Sequence, residues 1–81
     1  MLTLPELEQK TQHIIAAHFK KHRGRLDLDT RLREDLGADS LDLLELVFTL
    51  EQELGVSIPD AEAAEIRTIG DTVRFVERAQ R

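Results

Sequence analysis

Between Ser40 and Leu54 the chain carries two apolar stripes on one helical repeat. At about 100° per residue, Leu43, Leu46, Val47, Leu50 and Leu54 fall within an arc of about 100°, the width of an ordinary core face. Leu41, Leu44 and Phe48 form a second ridge roughly opposite. Glu45 and Glu51 lie beside that ridge, and Asp42 and Glu53 lie further round. Two arrangements satisfy this pattern. Either the helix is central and buries both faces, or the second ridge stays accessible as a contact strip ringed by carboxylates. The spacing does not choose between them.

The remaining punctuation predicts three more helices and no strands. Thr3 followed by Glu6 fits a capping box, with Leu2 and Leu7 as its hydrophobic staple and Pro5 in the first turn. Leu7, Ile14, Ile15 and Phe19 then keep helical spacing, and Gly24 can end that helix or the short tail after it. A long connection follows from Arg25 to Ala38, in which Leu26, Leu28, Leu32 and Leu36 are expected to be pinned into the core, with Gly37 at a turn. The central helix ends at Gly55. Ile58-Pro59-Asp60 opens a short third helix through Ile66, and Thr68 with Asp71 caps a last helix whose Ile69, Val73 and Val76 share a face. The expected fold is all-α: a small four-helix bundle of three longer helices and one short third helix, with a long loop between the first and second.

Eighty-one residues give room for one domain, residues 1–81, and one modest core. The net charge of −5 argues against nucleic acid or anionic membrane as a partner. Its distribution is sharper than its sum. Residues 26–66 hold twelve acids and two bases, a local −10, while residues 1–25 carry a local +3 and residues 67–81 a local +2. No apolar stretch approaches the ~18 residues of a membrane span, and the start of the chain lacks the basic-then-apolar pattern of a secretory signal. A cytoplasmic monomer is expected.

Cysteine is absent, which removes disulfides, thiolate metal sites and a cysteine nucleophile. Ser40 in Leu36-Gly37-Ala38-Asp39-Ser40-Leu41 stands at a helix start, where serine is commonly a cap. Serine hydrolysis would need a positioned base and an oxyanion hole. His13, His18 and His22 all lie on or just after the first helix, with no carboxylate arranged to orient one. Asp27 and Asp29 alternate like the start of a calcium loop, but Arg31 and Arg33 occupy the positions of the next oxygen ligands. No catalytic residue and no metal site is expected.

Leu36-Gly37-Ala38-Asp39-Ser40-Leu41-Asp42, followed by Glu45-Leu46-Val47, resembles the modification site of acyl carrier proteins, most closely the freestanding bacterial type. The likeness continues through Leu50-Glu51 and Ile58-Pro59-Asp60 to Ile66, Thr68 and the last helix. Asp39 favours acyl over peptidyl carriers. The resemblance implies that the chain is a carrier and not an enzyme. Ser40 would hold a covalent 4′-phosphopantetheine, with Asp39 beside it, and the arm would supply the thiol that this chain lacks. A helix start favours the phosphodiester, while Asp35, Asp39 and Asp42 oppose its tight docking, so the arm is expected to be tethered but mobile.

By the same resemblance, Asp39, Asp42, Glu45 and Glu51 would meet basic patches on partner enzymes, and Leu41, Leu44 and Phe48 would fill apolar contacts. The implied partners are a phosphopantetheinyl transferase and acyl-transferring synthases, ketosynthases, reductases or dehydratases of fatty acid, polyketide or related lipid biosynthesis. Val47, Leu50, Ile58, Ala63, Ile66 and Ile69 would line a pocket for the acyl chain, although each also serves as core. The basic run Lys20-Lys21-His22-Arg23-Gly24-Arg25, together with Leu43 and Phe48, departs from housekeeping fatty acid carriers, which favours a specialised partner set; the basic run itself fits a solubilising loop as well as a partner-contact patch. The competing reading is an unmodified helical adaptor or structural subunit that uses the same acidic surface, with Ser40 only a cap.

Overall fold

The computed structural model describes residues 2–20 and 25–80. Four helices follow in order: α1 (Leu4–His18), α2 (Ser40–Leu54), α3 (Asp60–Ala63) and α4 (Ile69–Ala79). Among the described residues there is no strand; Arg31 and Thr68 form a single isolated antiparallel bridge.

Each long helix starts on a reciprocal capping box, which satisfies two of the backbone donors that a helix start leaves open. In α1 the Thr3 hydroxyl accepts from the Glu6 N–H at 3.4 Å, and the Thr3 N–H donates to Glu6 Oε1 at 2.9 Å. That backbone bond, and then the Thr3 hydroxyl, holds the Glu6 carboxyl below its ordinary range. The same device opens α4, where Thr68 pairs with Asp71. α1 ends at His18, closed by the Phe19 N–H on the Ile15 carbonyl, and Phe19 meets the His18 ring edge-on at 5.1 Å. The expected stop at Gly24 lies outside the described residues.

Two expectations about the chain path change. α3 is one turn, ending at Ala63 and not at Ile66. Its last carbonyls are closed by tighter three-residue bonds, Glu65 N–H to Glu62 O and Ile66 N–H to Ala63 O, which turn Ile66 inward to a buried position. Leu28 is 40% exposed and is not pinned into the core. Its backbone does the docking instead: the Leu28 carbonyl accepts the Gly70 N–H at 2.9 Å, and the Thr30 carbonyl accepts the Ile69 N–H at 3.0 Å. Within the long loop, Leu32 is fully buried, whereas Leu26 and Leu36 pack against the core from half-buried positions.

The core collects Leu7 and Ile15 of α1, Leu46 and Leu50 of α2, and Ile69, Val73 and Val76 of α4. Leu32 and Ala38 from the loop, with Ile58 and Ile66 on either side of α3, complete it. Full burial of such side chains stabilises by about 1.5–3 kcal/mol each relative to exposure. α1 packs against both α2 and α4. A clasp between the chain ends adds to this, with Leu2 N–H donating to Gln80 Oε1 and Gln80 Nε2 donating to the Leu2 carbonyl.

Candidate functional site

The loop before α2 carries the chain to its functional end. Leu32 is held inside, and its N–H donates to the Arg67 carbonyl at 2.9 Å. The Ala38 N–H returns to the Leu32 carbonyl at 3.0 Å, closing a compact turn. Gly37 makes the reversal at φ +72°, where a side chain is strained, and a Cβ there would meet nothing within 4 Å. Ala38 is buried again, and the next two residues emerge into solvent.

Asp39 is the N-cap of α2. Its Oδ1 accepts the Asp42 N–H at 2.8 Å, and Asp42 Oδ2 accepts the Asp39 N–H at 3.0 Å. Ser40 is therefore the first helical residue and takes no part in capping, contrary to the reading in which the serine is only a cap. It is exposed, and its Oγ accepts a hydrogen bond from Arg33 Nη2 at 3.3 Å. Among the described residues no histidine is a hydrogen-bond partner of Ser40, so none is placed there as a general base.

Of the two arrangements open for α2, the structure adopts the second. Leu46 and Leu50 are buried, while Leu41, Leu44 and Phe48 are exposed by 62%, 63% and 62%. The acids beside this ridge differ in what they do. Glu45 is exposed and makes no side-chain hydrogen bond among those described, whereas Asp39 and Asp42 serve the cap. Glu51 is half-buried, and its Oε2 accepts the Ile58 N–H at 2.7 Å, pinning the connection to α3. It is bound into the fold as well as being charged. Asp35 is held by Arg31 in a fork of two hydrogen bonds, at 3.0 and 3.3 Å. Lys20 and Arg25 are exposed; Lys21, His22, Arg23 and Gly24 of the basic run lie outside the described residues.

Between α2 and α3 runs a cleft of about 230 Å³. Leu43, Leu44 and Val47 form one wall and Ala63, Ala64 and Ile66 the other, with Arg33, Ser40 and Asp60 as its polar lining. Three of the six residues expected to line an acyl pocket, Val47, Ala63 and Ile66, lie here. Leu50, Ile58 and Ile69 do not: they are sealed in the core, where their contacts come from other helices and the loop. Leu43 and Leu44 are lining residues that sequence reasoning assigned elsewhere. Arg33 was missed as part of the site. It lies seven residues before Ser40, and only the turn at Gly37 brings the two together.

An exposed hydroxyl at a capped helix start, with a guanidinium on it and an apolar cleft alongside, fits a phosphodiester-linked group. The positive end of the helix dipole and the Arg33 donors favour its negative charge. Comparison with known proteins agrees: residues 9–76 match the model of the phosphopantetheine attachment site. An acyl carrier protein of Treponema denticola is 41% identical over 96% of this chain and 100% of its own length. The chain belongs to the acyl carrier protein family. A carrier of Rickettsia massiliae is 39% identical over 99% of this chain and 93% of its own. The crystal structure of the acyl carrier protein of Thermotoga maritima superposes with a TM-score of 0.77 at 28% identity, covering 95% of this chain and 89% of that one. The chain is thus a carrier and not a catalyst, and its prosthetic group is a covalent 4′-phosphopantetheine, which supplies the thiol on which acyl groups ride. Among the described residues no group of three or more His, Asp or Glu is arranged to hold a metal ion, and no helix is long and apolar enough to cross a membrane.

Proposed function

We propose that this chain holds acyl intermediates as thioesters on an arm anchored at Ser40 Oγ and presents them to enzymes of fatty acid, polyketide or related lipid biosynthesis. The observation that carries this reading is the position of Ser40: solvent-facing at the head of α2, with the capping duty taken by Asp39. A separate phosphopantetheinyl transferase forms the phosphodiester with coenzyme A as donor and adenosine 3′,5′-bisphosphate as leaving group, since no described histidine lies in hydrogen-bond contact with Ser40. Intact mass after incubation with coenzyme A, magnesium and a promiscuous transferase tests it. Addition of one arm to the native chain and none to Ser40→Ala is expected; an unmodified native chain would overturn the assignment.

Partner enzymes dock, in this reading, on the ridge of Leu41, Leu44 and Phe48 with Asp39, Asp42 and Glu45 around it, and Glu51 contributes charge from its pinned position. Exposed ion pairs are worth about 0.2–1 kcal/mol each and are screened over about 8 Å in physiological salt. A few of them steer encounter more than they hold a complex together, which suits a shuttle that must release each partner. Glu45→Lys is expected to slow acyl transfer without changing the fold. The α2–α3 cleft is the natural place for the acyl chain, since it opens beside Ser40 and its walls are aliphatic. The basic run from Lys20 to Arg25 and the bulk of Leu43 and Phe48 favour a specialised partner set. The same reading makes the chain a cytoplasmic monomer.

A further inference from the structure

Arg33 differs from Arg31 and Arg74 in what its guanidinium holds. Arg31, two residues earlier, is committed to Asp35, and Arg74 on α4 is committed to Asp71. Arg33 makes no ion pair among the described residues, although Asp39 and Asp42 are close in sequence; each of those carboxylates already holds a backbone N–H of the cap. The Arg33 guanidinium reaches instead to an uncharged hydroxyl, Ser40 Oγ, at 3.3 Å. Its backbone is fixed for this reach. Leu32 beside it is fully buried, and the Arg33 carbonyl accepts the Gly37 N–H at 3.0 Å inside the turn that leads to Ser40.

We propose that Arg33 is a positioning residue that grips the phosphodiester once Ser40 carries it. The proposal rests on Ser40 being the attachment point. A hydroxyl is a weak partner for a guanidinium, and esterification makes Oγ weaker still. It also sets two non-bridging oxygens that share one negative charge on the phosphorus bonded to Oγ, within the span of a planar fork built for such pairs. The contact seen in the unmodified chain is thus the precursor of a charge-assisted one. Arg33 also lines the α2–α3 cleft, so holding the root of the arm there starts it over the aliphatic walls of Leu44 and Val47. This refines the expectation of a tethered but mobile arm: the phosphate end is held, and the flexible chain beyond it is free to reach partners.

The test uses the full chain before and after loading with a transferase, its mass checked at each stage. In arginine-labelled wild type, the Arg33 guanidinium signals should shift and sharpen on loading, while those of Arg31 and Arg74 stay in place. The phosphorus relaxation of the loaded chain should report tumbling with the protein, and rising salt should loosen it. In loaded Arg33→Gln the phosphorus should relax as a mobile diester, and Arg33→Lys, with charge but no fork, should fall between. Phosphorus equally mobile in wild type and Arg33→Gln, with unmoved Arg33 signals, would overturn the proposal. Should Arg33→Gln fold or load poorly, the wild-type comparison before and after loading decides alone. A chain that takes no arm at all counts against the Ser40 assignment instead, and the mass spectrum separates the two failures.

Discussion

The starts of α2 and α4 carry the same local device and meet opposite surroundings. Both are reciprocal boxes with an acid at the third helical position, Asp39 with Asp42 and Thr68 with Asp71. At α4 the loop lies across the helix start. The Thr30 and Leu28 carbonyls accept the Ile69 and Gly70 N–H groups, and both residues are buried. A Cβ on Gly70 would stand 3.0 Å from the Leu28 carbonyl oxygen, so any larger residue there would push the loop backbone away. At α2 no such loop-to-helix backbone bond is made among the described residues: Ser40 and Leu41 are exposed, and the Arg33 side chain donates to Ser40 Oγ. A helix start whose orphan donors are met by backbone is structural. One met only by its own box, with a hydroxyl exposed beside it, is left open for chemistry.

Substitutions at the two starts should separate these roles. Ser40→Ala has the largest effect on function, complete loss of arm addition by mass spectrometry, with a melting curve close to native because surface changes away from special features stay within about 0.5 kcal/mol. Ile69→Ala reverses the pattern. Removing a fully buried side chain should cost about 2–5 kcal/mol in denaturant unfolding, while Ser40 remains open to modification in whatever fraction stays folded. Smaller, and similar at the two starts, are the losses from Asp39→Ala and Thr68→Ala, about 1 kcal/mol each for a removed cap. A much larger loss for Asp39→Ala would mean that the α2 start is more deeply built into the fold than its exposure shows.

Acid should weaken the α4 start in a defined direction. Partial burial raises the Asp71 carboxyl, but the N–H groups of Thr68 and Arg67, with Arg74 and the Thr68 hydroxyl, outweigh it and hold the folded group below its ordinary value of 3.8. The stability from these bonds is therefore complete above the ordinary carboxylate range and drains away as pH falls through the lowered folded value. Asp71→Asn should flatten this part of the acid profile in pH-dependent unfolding. The smallest effect on stability is expected from Leu44→Ala, within about 0.5 kcal/mol, although acyl transfer by a partner should slow. A stability loss as large as that of a core leucine would return the ridge to the interior.

Much of this was legible because it depends on neighbours in sequence. The boxes at Thr3 and Thr68, the bounds of α2 and the division of its apolar residues into two stripes follow from spacing and capping chemistry within a few positions. Leu28 misled because an apolar side chain in a loop counts as a core candidate by composition, whereas here its carbonyl is the part the fold uses. Leu50, Ile58 and Ile69, expected at an acyl pocket, lie in the core and not on the walls of the α2–α3 cleft. A pattern of burial cannot distinguish a side chain that fills the core from one that walls a cleft.

The sequence by itself determined where the helices begin and that the chain has no thiol of its own, because each depends on residue identity or on contacts a turn or so apart, while Ser40 was singled out for the arm by its resemblance to acyl carriers. Only the tertiary structure decided that the ridge of Leu41, Leu44 and Phe48 stays in solvent, that Asp39 frees Ser40 from capping, and that Arg33 reaches the serine across a glycine turn. Exposure and the meeting of side chains seven residues apart depend on how the loop is anchored at Leu32 and Arg67. That anchor exists only once the loop, α2 and α4 have closed on one another.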